Sequence, residues 1–92
     1  MSQIALRIRV TGLVQGVFFR AWTQQKANEL GVAGWVRNAS DGSVEGHLQG
    51  DNTSVQQIVD LMHQGPPSAQ VSKVDVEVAD PEAADGFEVR HG

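Results

Sequence analysis

No cysteine occurs in the 92 residues. Disulfides, thiolate zinc sites, iron–sulfur clusters and a cysteine nucleophile are thereby excluded together. The soft ligands that remain are His47, His63 and His91, and none stands in a paired spacing such as His-x-x-x-His, so neither a metal site nor a cofactor is expected. No apolar run approaches the ~20 residues of a membrane span. The N-terminus lacks a signal-peptide pattern, and a cytoplasmic chain with no membrane partner is the default expectation. Internal repeats, linkers and low-complexity stretches are missing as well. Basic residues are few: seven Lys and Arg face eleven Asp and Glu, and a formal net charge of −4 argues against a general nucleic-acid binder.

What is present is globular in character, with 40% hydrophobic and 20% charged residues. The length suits one domain spanning residues 1–92 with one modest core, and a monomer is the default at this size. The charge is unevenly spread. Residues 1–38 hold Arg7, Arg9, Arg20, Lys26 and Arg37 against Glu29 alone, whereas residues 39–92 hold Lys73 and Arg90 against ten acids. An anionic ligand is therefore sought in the first 38 residues.

Hydrophobic periodicity gives the order of elements. Ile4, Leu6, Ile8 and Val10 alternate with Ala5, Arg7 and Arg9, the pattern of a strand with one buried and one wet face. Thr11-Gly12 interrupts that strand, and a helix follows over about residues 21–30 with Phe19, Thr23, Ala27 and Leu30 on one stripe and Gly31 as its left-handed cap. Residues 33–38 read as a second strand, Asp41-Gly42 as a hairpin turn, and residues 43–49 as a third strand with Glu45, His47 and Gln49 outward. Thr53 and Gln56 suggest a capping box for a second helix whose apolar stripe is Val55, Ile58, Val59 and Met62. Residues 72–78 and 87–90 complete the strands, and the acidic residues 75–85 read as a solvated face and loop. Each long strand has one apolar face, which predicts an α+β, ferredoxin-like βαββαβ two-layer sandwich. In it an antiparallel sheet of order 4-1-3-2 carries both helices on one face, with a short extra C-terminal strand.

The segment from Gly12 to Arg20 joins a strand to a helix start. A loop there aims unpaired backbone N–H groups at one point, and the helix dipole adds partial positive charge. Gly16 lets the backbone curl around an anion, and Arg20 adds a planar fork matched to phosphoryl or carboxylate oxygens. The plain alternative is an ordinary connection with a surface arginine, since two glycines at this spacing are common. Phe18, Phe19 and Trp22 read as core or pocket wall. RNA-recognition domains share the topology but carry exposed aromatics on their central strands, where this chain has Arg7, Arg9, Glu45 and His47. Asn38 ends a strand before a hairpin, where asparagine serves as a turn-former, yet its amide can also accept a hydrogen bond from water.

Two long stretches then resemble a known family. Val10-Thr11-Gly12-Leu13-Val14-Gln15-Gly16-Val17-Phe18-Phe19-Arg20 is similar to the first signature of the acylphosphatases, and residues 34–45, beginning Gly34-Trp35-Val36-Arg37-Asn38, are similar to the second. Residues 65–71 and 87–90 resemble later landmarks of the same family, and Ala39 departs from members that have a hydroxyl there. The resemblance implies metal-independent hydrolysis of a small-molecule acyl phosphate. It implies that the backbone of Gln15, Gly16, Val17, Phe18, Phe19 and Arg20 binds the phosphate, that the Arg20 side chain holds its oxygens, and that Asn38 places the attacking water. The competing reading is a non-catalytic, anion-sensing module on the same fold.

Overall fold

The computed structural model describes residues 3–91. Seven elements follow in order: β1 (Gln3–Leu13), α1 (Phe19–Leu30), β2 (Ala33–Asn38), β3 (Val44–Asp51), α2 (Asn52–Gln64), β4 (Gln70–Val78) and β5 (Phe87–Arg90). They form one sheet of order β4-β1-β3-β2-β5, so the order expected for the four long strands is the one observed. Those four pair antiparallel, whereas β5 lies parallel to β2, which makes the five-stranded sheet mixed at that edge. None of the described helices is long and apolar enough to cross a membrane.

The alternating residues do what their spacing dictates. Leu6, Ile8, Val10, Val36, Val44 and Leu48 meet Phe19 and Ala27 of α1 and Val55, Ile58, Val59 and Met62 of α2 in one core. Each large aliphatic or aromatic side chain buried this way contributes about 1.5–3 kcal/mol. The same parity puts Val76 and Val78 of β4 on the helix side, but β4 is an edge strand that the helices do not fully cover. Val78 accordingly stays 90% exposed.

Several boundaries differ from the sequence reading, each for a local reason. Pairing of β1 with β4 continues beyond Thr11 through a register shift between Thr11 and Gly12, so the strand bends there and does not end. Asp51, and not Thr53, caps α2: its carboxylate accepts from the Thr53 N–H at 3.2 Å, which displaces the expected box with Gln56. Helix α1 starts at Phe19, two residues before Ala21, and no side chain caps it.

The outer face of the sheet departs most from expectation. His47 is fully buried and Glu45 nearly so, because neighbouring side chains roof them over. Arg9 and Arg37 grip Glu45 from the flanking strands. Over His47, the segment before β5 folds back across the sheet. The Glu82 carboxylate accepts from the Trp35 indole N–H at 2.9 Å, its N–H and C=O pair with the Gln49 amide, and its other oxygen lies 3.5 Å from His47 Nδ1. Glu82 is thus a strap residue and not part of a solvated acidic run. The Trp35 hydrogen bond, with His47, Arg90 and Arg7 nearby, holds its carboxyl below the ordinary value. A depressed folded-state pKa stabilises above the unfolded value and is lost as pH falls through the folded one. Glu82→Gln is expected to lower Tm at pH 7 by up to about 4 °C, the scale of an exposed charge contact in so small a domain. Thermal melts repeated down a pH series from 7 are expected to narrow the gap as the carboxylate protonates, and a gap that does not narrow contradicts the charge-based account.

Candidate active site

The loop between β1 and α1 is shaped by a reversal of backbone handedness. Gly16 has φ +71° and Phe18 φ +70°, and Phe18 is the one non-glycine residue with positive φ among those described. Val17 between them is not among the positive-φ residues, so the handedness alternates along the loop, a pattern that in general can turn successive N–H groups toward one side. Gly16 occupies this region at no steric cost. Phe18 does not: a non-glycine residue held there stores on the order of 1–3 kcal/mol. Phe18 is also 67% exposed and so is not core, whereas Phe19 beside it is buried and rests against Trp22, their ring centroids 5.6 Å apart. Phe18 directly precedes an uncapped helix, whose first N–H groups remain free to add to the loop's donors.

The two candidate side chains are brought to the same end of the sheet by strand pairing. Val44 at the start of β3 faces Val10 of β1 on one side and Asn38 of β2 on the other. Asn38 follows the buried Val36 on the helix-facing side of β2, and its Oδ1 is buried with no hydrogen-bond partner among the described residues. Arg20, in the first turn of α1, donates from Nη1 to the Arg90 carbonyl at 3.1 Å and sits 3.4 Å from His91 Nδ1. Arg90 in turn pairs with Arg37, the residue before Asn38. One edge of the guanidinium is therefore anchored to β5, and among the described residues Arg20 has no carboxylate partner.

Two further side chains tie this region together, and neither was singled out from the sequence for what its side chain does. Gln15 donates from Nε2 to the carbonyls of Ala39 and Ser43 at 2.7 and 2.9 Å, locking the β1–α1 loop to the turn that follows Asn38. Ser68 donates from Oγ to the Val17 carbonyl at 2.8 Å. Within the β2–β3 turn, Asp41 accepts from the Ser43 N–H and hydroxyl. Those bonds, followed by the charge of Arg9, hold its carboxyl below the usual range. A cue for Gln15 existed, since a long amide in a glycine-bearing loop beside a hairpin can cross to open carbonyls. No cue of spacing placed Ser68 against the loop.

One end of the sheet thus carries a loop with two positive-φ residues before an uncapped helix, a guanidinium anchored on one side, and a buried acceptor with no partner among the described residues. A groove of about 650 Å³ at the opposite end, lined by residues such as Gln3, Ala33, Asn52 and Ala79, contains none of these groups. Fold and site together define a ferredoxin-like α+β protein that presents a donor-rich strand-to-helix loop.

The acylphosphatase family model matches residues 6–89, and the chain belongs to that family. It is 46% identical over 90 residues to an acylphosphatase of Haloarcula marismortui, covering 98% of this chain and 99% of that one. An acylphosphatase structure from Coxiella burnetii superposes with a TM-score of 0.92 at 40% identity, over 96% of this chain and 93% of that chain. One from Bacillus subtilis gives 0.91 at 34% identity, over 95% and 98%.

Replacing Gln15 tests the coupling between the two loops. Gln15→Ala removes two hydrogen bonds, although the Ala39 and Ser43 carbonyls each keep a backbone donor, from Gly42 and Ala39. It is expected to cost about 1–3 kcal/mol in urea denaturation, the net worth of two such bonds. Gln15→Glu, nearly the same shape, sets a carboxylate against two carbonyl oxygens and is expected to cost more. The reverse ranking would show that the hydrogen bonds are not what the side chain contributes.

Proposed function

We propose that this chain hydrolyses the carboxyl–phosphate bond of acyl phosphates, without a metal, through Arg20, Asn38 and the backbone of residues 15–20. The observation that carries the catalytic reading is Asn38 Oδ1, a buried acceptor without a partner at the sheet end that bears the loop. Buried polar atoms are almost always paired, and an orphan acceptor here suits a water molecule. The N–H groups of residues 15–20 and the free edge of Arg20 take the phosphate oxygens. Asn38 accepts a hydrogen bond from water and turns its oxygen toward phosphorus.

The chemistry asks mainly for positioning and for stabilisation of charge on the transferred group. Water forms the new P–O bond as the bond to the acyl oxygen breaks, and the acyl group leaves as a carboxylate, too weak a base to need a general acid. An asparagine amide cannot take the proton of the attacking water, and that proton passes to a phosphate oxygen. A site that grips chiefly the phosphate tolerates varied acyl groups. The same reading takes the chain as a single-domain monomer acting in the cytoplasm on a small molecule and not on nucleic acid, the last point supported by its net charge of −4. The reading as a non-catalytic anion sensor has no support in the structure or in the relatives.

Purified protein is expected to hydrolyse benzoyl phosphate with chelator present. Losing one preorganised donor or acceptor to the transition state costs ~2.7–4 kcal/mol, roughly two to three decades in turnover. Asn38→Ala is therefore expected to lower kcat by that much while inhibition by inorganic phosphate is nearly unchanged. Equal losses in both would assign Asn38 to phosphate binding instead. Arg20→Lys is expected to fail as badly, because an ammonium does not reproduce the planar fork, and near-normal kinetics in that variant would remove Arg20 from the mechanism.

A further inference from the structure

Ser68 lies far from the loop in sequence, outside the two long signature stretches and within the later landmark of residues 65–71, to which the resemblance assigns no role. It sits in the turn between α2 and β4. There the Ala69 N–H donates to the Pro66 carbonyl at 2.9 Å, so Pro66, Pro67, Ser68 and Ala69 form a four-residue turn with Pro67 at its second position. The prolines fix their own φ angles before folding, and Ser68 is held in place at little entropic cost.

The turn touches the β1–α1 segment twice. Gly65 packs beside Phe19 so closely that a Cβ at that position would lie 3.2 Å from the phenyl ring and 3.2 Å from the Val71 side chain. Ser68 Oγ donates to the Val17 carbonyl at 2.8 Å. The peptide from Val17 to Phe18 is trans, and in a trans peptide C=O and N–H point in opposite directions. Drawing the Val17 oxygen out toward Ser68 therefore turns the Phe18 N–H the other way, toward the inside of the loop. The next peptide is held similarly, because the Phe18 carbonyl accepts from the Trp22 N–H at 3.0 Å. Both peptides flanking the strained Phe18 are thus fixed through their oxygens, one by the first turn of α1 and the other by a single hydroxyl from a different part of the chain.

We infer that Ser68 is a positioning residue for the phosphate site: by holding the Val17 carbonyl it orients the Phe18 N–H toward the bound phosphate. It makes no contact with substrate and acts only through that peptide. The inference rests on the reading of residues 15–20 as the phosphate loop, and its test separates the two. Wild type, Ser68→Ala and Ser68→Thr are titrated with inorganic phosphate while backbone amide resonances are followed, and inhibition by phosphate and kcat/KM are measured beside them. In the wild type the amides of residues 16–20 shift on adding phosphate. In Ser68→Ala the Phe18 shift is reduced, and Ki rises and kcat/KM falls by about three- to tenfold, the range that the net worth of one hydrogen bond gives. Ser68→Thr, which keeps the hydroxyl, restores both to within about twofold, and Tm is nearly constant because Ser68 is exposed. Wild-type shifts that persist unchanged in Ser68→Ala, or equal losses in the Ala and Thr variants, overturn the role of Ser68 and leave the loop intact. Absence of any phosphate-induced shift in the wild-type loop overturns the loop reading itself.

Discussion

A phenylalanine held in the left-handed backbone region is the constraint on which the site depends. Phe18 adopts φ +70° one residue before α1, and that reversal follows the one at Gly16; in the proposed function the two together gather the amides of the loop. The side chain gains little from it, being mostly exposed. Such strain persists only where the surroundings over-determine it, and here they do. Phe19, the next residue, is anchored in the core, Gln15 three residues earlier clamps the loop to the β2–β3 turn, and Ser68 and Trp22 hold the Val17 and Phe18 carbonyls.

The fold supplies these clamps from the β1–α1 loop, from α1 and from the turn between α2 and β4. Strand β3 sets β1 and β2 on its two sides, which brings the loop and Asn38 to one end. The parallel strand β5 then carries Arg90 alongside β2, where its carbonyl receives Arg20 and its guanidinium lies 4.5 Å from the Trp35 ring centroid. Trp35 is held in turn by Glu82. A short last strand and its preceding strap, which look dispensable, thereby help to seat the arginine.

Much of this was legible in the sequence because it depends on period and on local chemistry. The alternation of Ile4 to Val10 and the helical spacing of Val55, Ile58, Val59 and Met62 each follow from a single buried face. The loop could be singled out from Gly16 and Arg20, and the family from the two long stretches that surround them. Contacts made across the sequence were not legible. His47 alternates outward and is nonetheless buried, because a strap 35 residues later in the chain closes over it. Asp51 outcompetes Thr53 as cap through the local turn geometry. The bond between Ser68 and Val17 joins residues 51 apart, and no periodicity reports such a pairing.

The most direct test of the account is a crystal structure with orthovanadate bound, since its trigonal-bipyramidal form mimics phosphorus under attack. The account predicts equatorial oxygens against the N–H groups of residues 16–20 and the free edge of Arg20, with an apical oxygen within hydrogen-bond reach of Asn38 Oδ1. Vanadate seated elsewhere, for instance among Arg7, Arg9 and Arg37 on the outer face of the sheet, or an apical oxygen turned away from Asn38, would contradict it.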